Sequence, residues 1–393
     1  QVTFETAVAV DTSTLDISPV VLPEAVNSRL VFVNGIYAPE LSSVAGLPEG
    51  VFVGNLAELP SEYQSRIADY LGKHQGVVTD VFTLLNTAGL TDVAVIWLSR
   101  NTELTVPINL LFVSMADGVP RLFQPRCLVV AEAGSQLSLV EEYWQGQQAK
   151  SAQGEELTSQ ESVYLTNSVT ELWVEENARV THIRVDGESN QAFHVGKSAI
   201  AQARNSFYSC HGVAFGGRLS RHNLEVFQMG EGTETILNGL TAISEQQLAD
   251  THSALMLNHP NGISNQLQKC IIDGSAHAVF NGRVCVPQAA QLTNAGQLNR
   301  NLLLSPKARV DTKPQLEITA DNVKCSHGAT VSQLEADEVF YLQSRGLKET
   351  DARNLLIDAF VAEILNQIPL ASLRQRLSET VISSKRERNN VQQ

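Results

Sequence analysis

The sequence predicts a mainly β protein, with a long strand-built core, a small α-containing region before it and a helical segment after it. Three observations carry this. From about Val93 the apolar residues fall into short runs separated by turns rich in Gly, Asn and Ser, the pattern of strands rather than helices. Between those runs nothing has the length and spacing of a crossover helix, which argues against a doubly wound α/β sheet. After Val331 the apolar spacing changes to i, i+3, i+4, i+7, the stripe of an amphipathic helix.

Three regions follow, 1–90, 91–331 and 332–393. In the first, Ser61 to Leu71 and Gly76 to Leu90 carry helical spacing, with Val78, Phe82, Leu85 and Ala88 on one stripe. In the second, strands are expected at Val93–Leu98, Leu110–Val113, Cys127–Val130, Val180–Val185 and Leu224–Phe227, and an exposed loop over the Gln- and Ser-rich stretch Gln145–Ser162. Asn238, Asn258, Asn281, Asn301 and Asn322 are 20, 23, 20 and 21 residues apart. A period of this length marks a solenoid, whose coils bury their faces only against their neighbours; Asn is common here, so a chance spacing stays open. In the third region Ala352, Leu355, Leu356, Ala359, Phe360, Ile364, Leu365 and Ile368 form the stripe after Thr350 and Asp351, and Leu373 and Leu377 continue a shorter helix beyond Pro369.

Composition narrows the function. Among 393 residues, 28 basic against 42 acidic side chains give a net charge of −14, which repels a phosphate backbone and argues against nucleic acid. Five dispersed cysteines, Cys127, Cys210, Cys270, Cys285 and Cys325, read as free thiols in a reducing compartment rather than a disulfide framework. No 18-residue apolar run predicts a membrane span. The chain begins at Gln1 rather than Met, which leaves a preceding signal or transit peptide open. There is no Gly-x-x-x-x-Gly-Lys-Ser/Thr phosphate loop, no Gly-x-Ser-x-Gly elbow and no His-Glu-x-x-His pair, so no catalytic residue is expected.

The chemistry concentrates at Cys325 and His327. One residue apart on a strand, they project to one face, and a thiolate beside an imidazole suits iron or zinc. A buried thiol and a hydrogen-bonded core histidine are the plainer reading of such a pair. Cys210, His211 and His222 are a weaker cluster, since neighbours on a strand face opposite ways. Ser332 and Glu335 fit a capping box that would start a helix, and Gly346 would end it.

Val323-Lys-Cys-Ser-His-Gly-Ala-Thr and Phe340-Tyr-Leu-Gln-Ser-Arg-Gly346 resemble the SufB/SufD family of iron–sulfur cluster assembly proteins. Phe82-Thr-Leu-Leu-Asn-Thr-Ala88 resembles the segment before that family's β domain. The resemblance implies a right-handed parallel β-helix core, and a place in a complex with a SufB-like protein and a SufC-type ABC ATPase. It implies pairing with SufB through the last coils, a homodimer of the isolated chain as a further option, and docking of the ATPase on the C-terminal helices through Leu356, Phe360, Ile364, Leu365 and Leu373. His327 aligns with a histidine implicated in cluster assembly at the SufB–SufD interface, with Cys325 a weaker candidate ligand. A stable cluster wants four cysteine-type ligands and no Cys-x-x-Cys is present. A transient cluster or iron at the interface is expected instead, and the complex leaves room for a reduced flavin. Ser326 and Gly328 stand where SufB-type chains carry carboxylates, and Asn299 and Asn301 where they carry a scaffold cysteine, so the chain is more like SufD. The expected compartment is the cytoplasm, or the plastid stroma in a plant or alga. The alternatives are a SufB-like homodimeric scaffold and a β-helix carbohydrate-active enzyme using Asp311, Glu317 or Asp321.

Overall fold

The computed structural model describes residues 3–7, 9–73, 80–148 and 163–391, with side chains through Val381. From Tyr164 onward consecutive strands alternate between two sheets, and each pairs in parallel with the next strand but one. A chain that does this must wind, and the result is a parallel β-solenoid of about 7 turns. In the second sheet Glu234 lies beside Ile263, Ile263 beside Asn294 and Asn294 beside Lys324, coil steps of 29, 31 and 30 residues.

This step corrects the spacing of about twenty read from Asn238, Asn258, Asn281, Asn301 and Asn322. Three of those lie within strands and two in turns, so they do not stack. The asparagines that do stack are at one corner. Asn177, Asn205, Gly232, Asn261 and Leu292 all have positive φ. Each donates its N–H to the next coil, Asn177 to the Arg204 carbonyl at 3.0 Å, Asn205 to Glu231 at 2.9 Å, Gly232 to Pro260 at 3.0 Å, Asn261 to Gln291 at 3.0 Å and Leu292 to Asn322 at 2.7 Å. Gly and Asn recur because a left-handed backbone costs them least.

The core lies between the sheets, and its N-terminal end is sealed. Strand Arg29–Val33 joins the second sheet and Val51–Asn55 the first. Leu30, Phe32, Ala94 and Ile96 are buried there beneath Tyr37, Val44, Leu47 and Val51. Helix Val81–Ala88 lies on the first sheet. Its Asn86 is fully buried, donating to the carbonyls of Pro125 at 3.0 Å and Asn167 at 2.8 Å and accepting from Arg126 at 3.0 Å. Val78 and residues 149–162 of the expected loop lie outside the described residues.

The outer face of the second sheet is covered too. Val140, Ile183, Val185, Val213, Leu240, Ile271 and Leu302 pack against Ile357, Val361, Ile364, Leu365, Ile368, Leu373 and Leu377 of helices Glu349–Leu365 and Ala371–Val391 and the link between them. Lys269 clamps the first helix, donating to the Phe360 carbonyl at 2.8 Å, lying 4.2 Å from the Phe360 ring and pairing with Glu363. Arg376 pairs with Glu142. This corrects the docking surface expected from the sequence: Ile364, Leu365 and Leu373 are buried within the chain and offer a partner nothing, and Phe360 is half-buried on Lys269. The capping box is corrected as well. Ser332 belongs to strand Lys324–Gln333, and helix Ala336–Ser344 starts beyond it without a side-chain cap. Gly346, at φ +94°, ends that helix as expected.

Introducing a carboxylate at Ile364 should destabilise the fold by about 3 kcal/mol or more, because the charge has no partner inside. Leu355→Asp, at a position 50% exposed, should change stability by less than about 0.5 kcal/mol. Urea unfolding of both variants measures the contrast; equal losses would show that the helix does not pack as described.

Candidate functional site at the open end of the solenoid

The last coil is built from strands Arg309–Ile318 and Lys324–Gln333, each at the end of its sheet. In the second sheet one interior row runs Cys210, Leu237, Gln266, Gln297, His327, and another Tyr208, Thr235, Ser264, Ala295, Cys325. Cys325 and His327 therefore share the inward face, as their spacing predicts. The structure gives that face no lid. Ala295 and Gln297 are 2% and 3% exposed, but one coil later Cys325 is half-buried and His327 exposed. The neighbouring rows behave alike. Asn301 is sealed and Val331 is 51% exposed, and Val286 is sealed while Ile318 is 37% exposed.

Beneath this end the interior is polar. Gln297 donates to Gln266 Oε1 at 2.8 Å, and Gln266 to Ser253 Oγ at 2.8 Å. Gln297 Oε1, in register with His327, is buried without a partner. It is a free acceptor one coil behind the imidazole in the same row. Cys325 Sγ has its pKa raised by burial, with a backbone hydrogen bond to Ala295 working against it. Two donor side chains cannot hold a cluster alone, so any metal here needs ligands from elsewhere.

A second polar group lies deeper, and the sequence reading missed it. Strands Gln136–Gln145 and Arg179–Gly187 turn Glu141, His182, Arg184 and Asp186 inward. His182 bonds to Glu141 Oε2 at 2.9 Å and to the Tyr208 hydroxyl at 3.0 Å. Burial works against the charged imidazole, but its contacts with Cys210 and Glu141 outweigh burial and lift it to about 9. Burial likewise opposes the charged form of Glu141, and the His182 bond and charge win, bringing it to about 2. The legible signal was the pattern His182-Ile-Arg-Val-Asp186, polar at every second residue, with Ile183 and Val185 facing the helices. Asp186, Glu188 and His194 are grouped closely enough to suggest a metal. However, His194 Nδ1 already meets Glu188 Oε2 at 2.7 Å and its Nε2 the Arg184 guanidinium at 2.6 Å, so the imidazole is fully engaged. His222 bonds Ser198 at 3.0 Å inside, while His211 faces the helices with Nδ1 unpaired; burial drives His211 down to about 4. Cys210, His211 and His222 form no joint site. Asp311 meets His277 at 2.8 Å and pairs with Arg309, Glu317 pairs with Arg283 at 2.7 Å, and Asp321 accepts from Gln288 at 2.7 Å, so none of the three candidates stands as a free carboxylate for sugar hydrolysis.

The raised His182 and lowered Glu141 set a pH window. The histidine's contribution is full below about pH 6.5 and fades as pH rises through about 9. The carboxylate's holds above about 4.5 and fades as pH falls through about 2. The melting temperature should therefore fall between about pH 7 and pH 9.5, and His182→Gln should lower stability at pH 6.5 while flattening that slope. An unchanged slope in the variant would show that His182 is not charged in the fold.

Fold and site together define a β-solenoid with a thiol–imidazole pair on an unsealed end. Residues 112–360 match the family described as "SUF system FeS cluster assembly, SufBD core domain", and residues 11–110 match "SufBD protein N-terminal region". The chain belongs to the SufBD family of iron–sulfur cluster assembly proteins. It is 53% identical to an iron-sulfur cluster assembly SufBD family protein of Synechocystis, over 92% of this chain and 78% of that one. It is 36% identical to the chloroplastic protein ABCI7 of Arabidopsis thaliana, over 90% and 73%, and 31% identical to iron-sulfur cluster assembly protein SufD of Escherichia coli, over 89% and 77%. No helix among the described residues is long and apolar enough to cross a membrane.

Proposed function

We propose that this chain is a SufD-like subunit, without an ATP site of its own, that pairs end to end with a SufB-like solenoid and helps a nascent iron–sulfur cluster form where the two meet. The supporting observation is the unsealed last coil: His327, Val331 and Ile318 are exposed where Gln297, Asn301 and Val286 one coil before are sealed, beside strands with unpaired edges. A homologous coil laid across this end would complete both sheets and cover Leu316, Ile318 and Val331. The cluster or iron ion is cargo. His327 would offer it one nitrogen while Gln297 Oε1 holds the other, and Cys325 is a weaker second donor. Val331→Lys should abolish co-purification of the SufB-like partner without unfolding the chain. Its retention at wild-type stoichiometry would refute the pairing. His327→Ala should leave the complex assembled but block cluster maturation in cells; normal maturation would remove the ligand role.

A SufC-type ABC ATPase would dock on the helices that follow. Phe340 is 71% exposed, and Tyr341, Leu347 and Leu355 are also exposed on the two packed helices Ala336–Ser344 and Glu349–Leu365 and the link between them, apolar side chains of the kind an interface covers. Leu356 on the second of these helices is half-buried. Phe340→Asp with Leu355→Asp should lose the ATPase from the purified complex and keep the SufB-like chain; an ATPase bound as before would place its site elsewhere. Work in the cytoplasm or a plastid stroma fits the free thiols and the chloroplastic relative.

A further inference from the structure

Helix Val81–Ala88 is built inside out. Its residues Val81, Leu84, Leu85 and Ala88 fall at i, i+3, i+4 and i+7, the stripe that a surface helix normally turns to the core. Here the stripe faces away from the first sheet. Val81 is 76% exposed and Leu84 56%, with Phe82 and Leu85 exposed beside them. The side toward the sheet carries buried Asn86 and half-buried Thr83 instead.

Polar bonds hold the helix this way round. Besides the three bonds of Asn86, Asn167 donates to the Phe82 carbonyl at 2.9 Å and Gln124 to the Leu85 carbonyl at 3.3 Å. Asp80 caps the first turn by accepting from the Thr83 N–H at 2.8 Å, and pairs with Lys197 at 3.3 Å. Rolling the stripe inward would break these bonds and leave the Asn86 partners unsatisfied. The helix packs beside strand Tyr164–Val174 of the first sheet, apart from both the open last coil and the helices on the second sheet.

The occupants such a face could take differ in what they need. The stripe offers a few hundred Å², where each side of a stable interface buries about 800 Å², so it falls short of what a dimer through this helix requires. A lipid surface draws in an apolar face that is rimmed by basic residues. No residue from Val81 to Thr91 is charged, and the chain carries −14. A helix of another protein needs neither a large area nor a basic rim on this side. Two turns, about 12 Å long, present the ridges at i±3 and i±4 between which a second helix packs. A contact of this size suits a partner that binds and leaves, and the negative charge of the chain favours basic residues beside that partner's stripe.

We infer that helix Val81–Ala88 is a docking surface for a short amphipathic helix, apolar on one face and basic on its flanks, of a transiently bound protein. It depends on neither the pairing nor the ATPase docking proposed above.

A fluorescein-labelled peptide of leucine and lysine, with its leucines at i, i+3, i+4 and i+7, tests this on the full chain. Leu84→Gln with Leu85→Gln should weaken its binding by about tenfold or more, the worth of two leucines left uncovered. The urea midpoint should stay where it is, and a scrambled peptide of the same composition should bind both proteins alike. Equal binding of the patterned peptide to wild type and variant would overturn the inference. A urea midpoint lowered as far as by loss of a buried leucine would do the same, because the chain itself would then cover the stripe. A wild-type dimer in sedimentation that the variant loses would assign the face to a second copy. Co-flotation with vesicles of phosphatidylcholine and phosphatidylglycerol, lost in the variant, would assign it to a lipid surface, and either result rejects a protein helix as the occupant.

Discussion

A parallel strand sends half of its amides to the strand before it and half to the strand after it, and everything in this molecule depends on that division. Each coil is complete only when the next has been laid down. The corner asparagines extend the rule to the turns, since their left-handed N–H groups reach the carbonyl of the following coil. Stability therefore accumulates coil upon coil, and the chain's last coil inherits the deficit. At the N-terminal end the deficit is met by short strands and a packed helix from the same chain. At the other end Arg309–Ile318 and Lys324–Gln333 have no successor.

The second constraint is the cover on the second sheet. Because the C-terminal helices bury its outer face, that face is apolar, and the inner face can be polar without losing the sheet its core contacts. Glu141, His182, Arg184 and Asp186 occupy inward positions that would be leucines or valines in a sheet open to water. A charged pair in such a place is tolerated because each member supplies the other's counter-charge and hydrogen bond. The helices are thus part of what allows a polar interior to exist, and Lys269 from the sheet and Arg376 from the last helix fasten the two layers together.

Much of this was legible beforehand. The switch from strand to helical spacing near Val331 marked the end of the β core to within a few residues, and the one-residue gap between Cys325 and His327 put both on one face. The coil length was not legible from the asparagines chosen, because the corner that repeats uses Gly at some coils and Asn at others. Gly232 breaks the run Asn177, Asn205, Asn261 and Leu292 ends it, and a search for one residue type passes over it. The helix stripe was read correctly but given to the wrong neighbour: an apolar face reveals that something covers it, and only the fold reveals that Ile364, Leu365 and Leu373 are covered by their own sheet. His182 and Glu141 are far apart in sequence, and nothing local marks them as a pair.

The difference between the two ends also sets how large an assembly can grow. A solenoid unsealed at both ends is a monomer for a fibre, since every addition exposes a fresh surface identical to the one just covered. Sealing one end turns growth into termination. The union proposed at the last coil would consume the unsealed end that the described residues leave on each member, giving a finite particle whose centre, rather than its periphery, holds the thiol and the imidazole.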